Sequence, residues 1–193
     1  MLIVGLTGGM ACGKSFVADA LRDLGAHIIE ADELGHQVLA PGGGAHKQVL
    51  AAFGTADRGN LAALVFGKPA ELARLNAIVH PAVRECARQR ALGIAAIDPH
   101  AVIVYVAAIL LESGGLEGMS KLVVVHCKPE QQLARALERP GATEASVRAR
   151  LQHQMPLSEK IARADYLIDT GGTKEETLRQ TKIVYEELRK LAA

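Results

Sequence analysis

The sequence predicts an α/β protein, a parallel sheet with helices on both faces whose first strand runs into a phosphate-binding loop. Three observations predict it. Leu2–Leu6, Ala101–Val106 and Leu122–Val125 are short, β-branched and unbroken in their hydrophobicity, as strands buried on both faces are. Helical patterns alternate with these strands. Gly8-Gly9-Met10-Ala11-Cys12-Gly13-Lys14-Ser15 fits the pattern G-x-x-x-x-G-K-[ST] and lies between a strand and a helix, the context that pattern requires.

The first helix follows from Phe16, Val17, Ala20, Leu21 and Leu24, which recur at helical spacing opposite Asp19, Arg22 and Asp23, and it stops at Gly25. Ala26–Ile29 reads as a second strand closing on Glu30-Ala31-Asp32-Glu33. Parallel sheets gather ligands at the carboxyl ends of their strands, so Asp32 is placed to engage a substrate hydroxyl. Read alone, it also suits the N-cap of the next helix.

Residues 33–100 carry no strand pattern. Pro41-Gly42-Gly43-Gly44 breaks the chain, and helical pieces follow at Ala45–Phe53, Asn60–Phe66, Pro69–Val79 and Pro81–Leu92. This region is expected to be a helical insertion that receives a second substrate. His80, directly before Pro81, reads on its own as a turn or cap residue.

After the third strand, Leu110-Leu111-Glu112-Ser113-Gly114 ends an apolar piece in a carboxylate and a glycine turn. Pro129 opens a helix through Leu137, with Glu130 suited to its positive end. Arg139-Pro140-Gly141-Ala142-Thr143 is a loop, and Thr143 with Ser146 caps a helix that carries Arg148 and Arg150. Above a phosphate loop, this basic excursion reads as a lid; by itself it is an ordinary solvated helix whose arginines pair with glutamates. Ala164–Asp169 is a final strand, Thr170-Gly171-Gly172 a turn, and Thr173–Leu191 a helix opened by a Thr173/Glu176 capping box.

Composition limits the function. The formal net charge of +1 provides no basic field for nucleic acid, and the absence of Trp with only 3% aromatic residues removes stacking platforms. No apolar run reaches membrane-spanning length, and the amino-terminal segment reads as a strand, not a signal peptide. Three scattered cysteines, Cys12, Cys86 and Cys127, form no C-x-x-C pair, which suits a reducing cytoplasm. Cys12, at a helix start beside Lys14, is expected to be a reactive thiol, with a small core hydrophobe as the alternative.

The chemistry of the loop follows from its residue types. Gly8, Gly9, Met10, Ala11, Cys12 and Gly13 present backbone N–H groups to phosphate oxygens, and the helix that follows adds the positive end of its dipole. Lys14 is expected to reach the β- and γ-phosphates and Ser15 to ligate Mg²⁺. The chain is thus expected to bind a nucleoside triphosphate together with Mg²⁺.

The ordered set Gly5-Leu6-Thr7-Gly8-Gly9, Ala31-Asp32-Glu33, His80-Pro81 with Arg84, Leu110–Gly114, Gln154-Met155 and Ala164–Asp169 resembles the dephospho-coenzyme A kinases from Met1 almost to the terminal helix. The resemblance implies a three-layer parallel-sheet P-loop kinase core (about 1–32, 101–137 and 164–193), a helical acceptor-binding insertion (33–100) and a helical lid (138–163). It implies transfer of the γ-phosphoryl group of ATP to the ribose 3′-hydroxyl of dephospho-coenzyme A. Asp32, Lys14 and Arg139 would be catalytic, His80 and Arg84 would serve the acceptor, and Phe16 and Thr170 would join the loop around the nucleotide. Another small-molecule or nucleotide kinase of the same build and a nucleotide-binding protein with weakened catalysis are the alternatives.

The departures from the family pattern are specific. Ala11 and Cys12 stand where Gly-Ser is usual, Phe16 where Thr is usual, Glu30 where Asp is typical and Pro140 where a polar residue is common. Val106 stands where family members usually carry a carboxylate, six residues before Glu112, at a strand end expected to face the loop crevice.

Overall fold

The computed structural model describes residues 1–115, 117–152 and 154–193, the side chain of Gln152 excepted. Strand β1 (Leu2–Gly8) is buried along its whole length. Leu2, Val4 and Leu6 point into one apolar cluster. Gly5 faces the other way, where a side chain would run into Leu110, Met119 and Leu122. Burial on both faces is why these residues show no polar alternation.

The other strands are β2 (His27–Glu30), β3 (Val102–Val106), β4 (Met119–His126) and β5 (Tyr166–Asp169). The sheet order is β2-β3-β1-β4-β5, with parallel pairing of β1 to β3, β1 to β4 and β4 to β5. Strand β4 starts three residues earlier than its apolar run, because pairing with β1 reaches back to Met119.

Nine helices are described: α1 (Lys14–Asp23), α2 (Ala31–Leu39), α3 (His46–Phe53), α4 (Arg58–Val65), α5 (Pro69–Ile97), α6 (Pro129–Leu137), α7 (Glu144–Gln152), α8 (Leu157–Ala162) and α9 (Lys174–Ala192). Helices α1 and α9 pack on each other, α9 also reaches β1, β3 and β5, and α8 packs on β4 and β1. The Thr173/Glu176 capping box opens α9. Helix α8 has no counterpart in the sequence expectation.

The chain divides into two units, Met1–Ile29 with Gly93–Ala193, and Glu30–Leu92. Within the second, Arg90 donates to Gln37 at 2.9 Å, His46 bonds the Leu39 carbonyl at 2.7 Å, and Arg74 lies 5.2 Å from the centre of the Phe53 ring.

Two expectations are corrected in this unit. The N-cap of α2 is Glu30, which makes no capping bond through its side chain, so Asp32 lies inside the first helical turn. The pieces expected to break at His80 form one 29-residue helix with Pro81 inside it. A proline inside a helix removes one backbone hydrogen bond and crowds the preceding turn, at a cost of about 3 kcal/mol or more, and the packed stripe Val83, Ala87, Ala91 holds the helix through it. His80 is therefore a helical residue with Arg84 four residues on, on the same face.

Candidate active site

At the carboxyl end of β1 the chain turns through the loop Gly8–Gly13. Gly8 lies against the Val125 carbonyl of β4, where any side chain would collide. The turn is closed by the Cys12 N–H donating to the Gly9 carbonyl at 3.2 Å. Two residues adopt left-handed backbone angles, Ala11 with φ 60° and Gly13 with φ 78°. Gly13 is the N-cap of α1, so Lys14 and Ser15 open the helix and the first amides of α1 have no carbonyl of their own helix to meet. A 10-residue helix thus points its positive end out of a tight backbone curl, an arrangement made for an anion.

Thr170, at the end of β5, braces the loop. Its hydroxyl lies 2.9 Å from the Cys12 carbonyl and 3.1 Å from that of His126. Arg135 of α6 donates to the Thr170 hydroxyl at 3.2 Å and to its carbonyl at 2.8 Å. Beside this brace a cavity of about 400 Å³ is lined by Gly13, Phe16, Arg135, Thr170, Thr173 and Thr177. Phe16, the departure after Ser15, is one wall of it. Arg135 was not singled out from the sequence: it lies in an amphipathic helix among other charges, and only the return of β5 beside β4 brings Thr170 to it.

On the other side of the loop, Met10 packs in an apolar cluster with Ala136 and Val147, joined by Ala11, Leu133, Ala142 and Leu151. Helix α7 therefore lies against the phosphate loop. A cavity of about 80 Å³ is lined by Met10, Arg139, Ala142, Ser146 and Arg150 among others. Arg148 is held by Glu144 at 2.6 Å, whereas Arg139 and Arg150 border that cavity. Thr143 and Ser146 cap α7 reciprocally, each backbone N–H donating to the other's hydroxyl at 3.0 and 3.2 Å.

Two expectations about this region change. Cys12 is fully buried, with its sulfur 3.3 Å from that of Cys127. Burial and the hydrogen bond with Cys127 push its thiol up to about 12, so it is a small core residue and not a reactive thiolate. Val106 is 3% exposed and belongs to the apolar cluster that also holds Leu6 and Cys12. Its side chain is core, not crevice wall.

In the other unit, Asp32 is an exposed carboxylate in the first turn of α2, two residues after β2 ends. Half-buried His80 has its pKa lowered by burial and by the Arg84 guanidinium, which favours the neutral imidazole.

Among the described residues no cluster of three or more His, Cys, Asp or Glu could hold a metal by itself. Ser15, exposed at the second position of α1, suits a Mg²⁺ ion shared with donor phosphates, since that cation keeps most of its shell from water and substrate oxygens. Among the described residues no helix is long and apolar enough to cross a membrane.

Comparison with known proteins agrees with this geometry. A family model described as dephospho-CoA kinase matches residues 2–176. The dephospho-CoA kinase of Geobacter metallireducens is 42% identical over 195 residues, covering 97% of this chain and 96% of that one. That of Geobacillus kaustophilus is 41% identical over 194 residues, covering 96% of each. The crystal structure of TT1252 from Thermus thermophilus superposes with a TM-score of 0.82 at 29% identity, covering 96% of this chain and 97% of that one.

Proposed function

The chain belongs to the dephospho-CoA kinase family, and from that premise we propose how its residues carry out the transfer. It is a kinase whose reaction, the final step of coenzyme A synthesis, moves the γ-phosphoryl group of ATP onto dephospho-coenzyme A. The acceptor atom is the ribose 3′-hydroxyl oxygen, which attacks the γ-phosphorus as the bond to the β-phosphate oxygen breaks. ADP leaves, and the hydroxyl proton passes to the Asp32 carboxylate.

The observation that carries this reading is the loop itself: left-handed Ala11 and Gly13 curl the backbone at the start of α1, with two lid arginines bordering the cavity above Met10. Phosphoryl transfer asks mostly for positioning and charge neutralisation. Lys14 and the loop amides other than those of Met10 and Cys12, which donate to Gln154 and to the Gly9 carbonyl, hold the donor phosphates. Arg139, and Arg150 beside it, cover the migrating group. Ser15 would hold Mg²⁺, which supplies charge neutralisation between the phosphates when bound. The nucleoside lies in the cavity lined by Phe16, Arg135 and Thr170, with Thr170 acting as brace for the loop as well as wall. Asp32 follows the carboxyl end of β2, where parallel sheets gather substrates. His80 and Arg84, on one face of α5, serve the acceptor, the first as a neutral hydrogen-bonding group and the second as a cation for its phosphates.

The test is ADP release with dephospho-coenzyme A beside a panel of nucleosides, nucleotides and small alcohols as acceptors. Rapid release that depends on dephospho-coenzyme A supports the reading. Faster turnover with another acceptor, or ATP binding without transfer to any, overturns it.

A further inference from the structure

Among the described residues, phosphate binding and acceptor binding leave one fully buried charge unused. Lys160 of α8 is 0% exposed. Its ammonium donates to the Ala108 carbonyl at 2.7 Å and pairs with Glu112 at 2.9 Å. The Ala108 carbonyl also accepts from the Thr7 hydroxyl at 3.3 Å, which ties the cluster to the end of β1. A fully desolvated lysine is costly even when paired, and replacing such a pair by apolar residues often stabilises a protein. Its presence is better explained by what it fixes in place.

What it fixes is visible in the next bonds. The same oxygen of Glu112 accepts the Met155 N–H at 2.8 Å. One residue earlier, the side-chain carbonyl of Gln154 accepts the Met10 N–H of the phosphate loop at 3.1 Å. Burial works to raise the pKa of Glu112, but the hydrogen bonds from Lys160 and the Met155 amide outweigh it and lower the pKa overall. The carboxylate is thus ionised at neutral pH and accepts both bonds at full strength. The segment through which the chain returns from the lid to the core is held at Met155 and touches the phosphate loop at Gln154.

We infer that Glu112 and Lys160 are positioning residues for phosphoryl transfer: the pair clamps the Met155 amide, and the clamp sets Gln154 on the Met10 amide so that the phosphate loop keeps its curl beneath Arg139 and Arg150. This rests on the kinase reading for its consequence, and on the bonds above for its geometry. With the clamp released, Gln154 leaves Met10, and the loop and lid arginines lose their shared reference point. Neither residue touches the nucleotide, so ground-state ATP binding changes little while the geometry of transfer suffers.

The test has two readouts on the full chain. Hydrogen exchange at the Met10 amide reports the link whether or not the protein turns over, so a failed link and a failed kinase reading are distinguishable. In Gln154→Ala, protection of that amide should fall about five- to tenfold, the measure of one hydrogen bond. Glu112→Ala should reproduce the fall, and combining the two should add nothing further. Lys160→Met, which keeps the volume of the stem, reads the same link should Glu112→Ala not fold. In steady-state kinetics each folded variant should lose about five- to tenfold in kcat with the KM for ATP within about a factor of two. Unchanged Met10 protection in the folded Glu112→Ala or Lys160→Met protein would overturn the inference. So would losses in kcat that multiply when Glu112→Ala and Gln154→Ala are combined, because a merely structural role would act independently of Gln154.

Discussion

Ala11 is the one described residue other than glycine with a left-handed backbone, φ 60°, and Ala11→Gly measures what that conformation costs. A β-carbon in this region meets the following carbonyl oxygen at a cost of roughly 1–2 kcal/mol, which glycine avoids. Two terms oppose the relief. Glycine enlarges the unfolded ensemble by about 0.4–1 kcal/mol, and the methyl group is half-buried beside Met10 and Val147, worth about 0.4 kcal/mol if half of a buried CH₂ value is taken. The net expectation is a gain of about half a kcal/mol, with the terms spanning a loss of about 0.4 to a gain of about 1.2 kcal/mol, or a Tm between about 1 °C lower and about 4 °C higher for a chain of this size. The control is Ala18→Gly, seven residues on, fully buried in the middle of α1. There, helix propensity of about 1 kcal/mol and a lost methyl of about 0.8 kcal/mol act together, and Tm should fall by about 4–7 °C. Thermal melts of the two variants beside the parent decide it. If Ala11→Gly is destabilised as much as Ala18→Gly, the left-handed turn carries no strain and the account of the loop is wrong.

Three further outcomes are expected. Mass mapping after mild alkylation of the folded protein should show Cys12 unmodified and half-buried Cys86 labelled first, because the Cys12 thiol is raised to about 12; labelling of Cys12 ahead of Cys86 would contradict this. Val106→Asp places an unpaired carboxylate in the apolar cluster and should cost about 2 kcal/mol or more of stability without raising turnover; a folded, equally stable and faster enzyme would show that the position faces the site after all. His80 should titrate below its ordinary 6.5 when followed by NMR, and Arg84→Ala should recover part of the difference. Because the native state binds that proton more weakly, the contribution is present above pH 6.5 and is lost as pH falls through the depressed native value, so His80→Asn should flatten the decline in Tm over that window; a midpoint at or above 6.5 would refute it.

Much of the sheet could be read from the chain because each of its buried strands is hydrophobic on both faces. The same property explains what could be read of β1, β3 and β4 and what could not of their surroundings. Val106 was placed at the right strand end, but period-2 alternation assigns its face only when the register is known, and that face is core. The helix break expected at Pro81 did not occur because local proline chemistry yields to a packed stripe that begins two residues later. Cys12 followed the same logic: a position beside Lys14 suggests an acidic thiol, and the packing that buries it against Cys127, 115 residues away, is not local information. Lys160 and Arg135 are the clearest cases. A lysine in a short polar helix and an arginine in an amphipathic one look solvated, and their partners Glu112 and Thr170 are brought to them only by the sheet order. The phosphate loop was legible because it is the rare element whose function is written in contiguous residues.

The most direct test of the central claim is transfer from γ-labelled ATP to dephospho-coenzyme A and to its 3′-deoxy analogue, with product identified by mass and by phosphorus NMR. The account predicts label on the ribose 3′-oxygen of dephospho-coenzyme A and none on the analogue, which should still bind and inhibit. Label on the analogue, or on neither compound while ATP is bound, would contradict it.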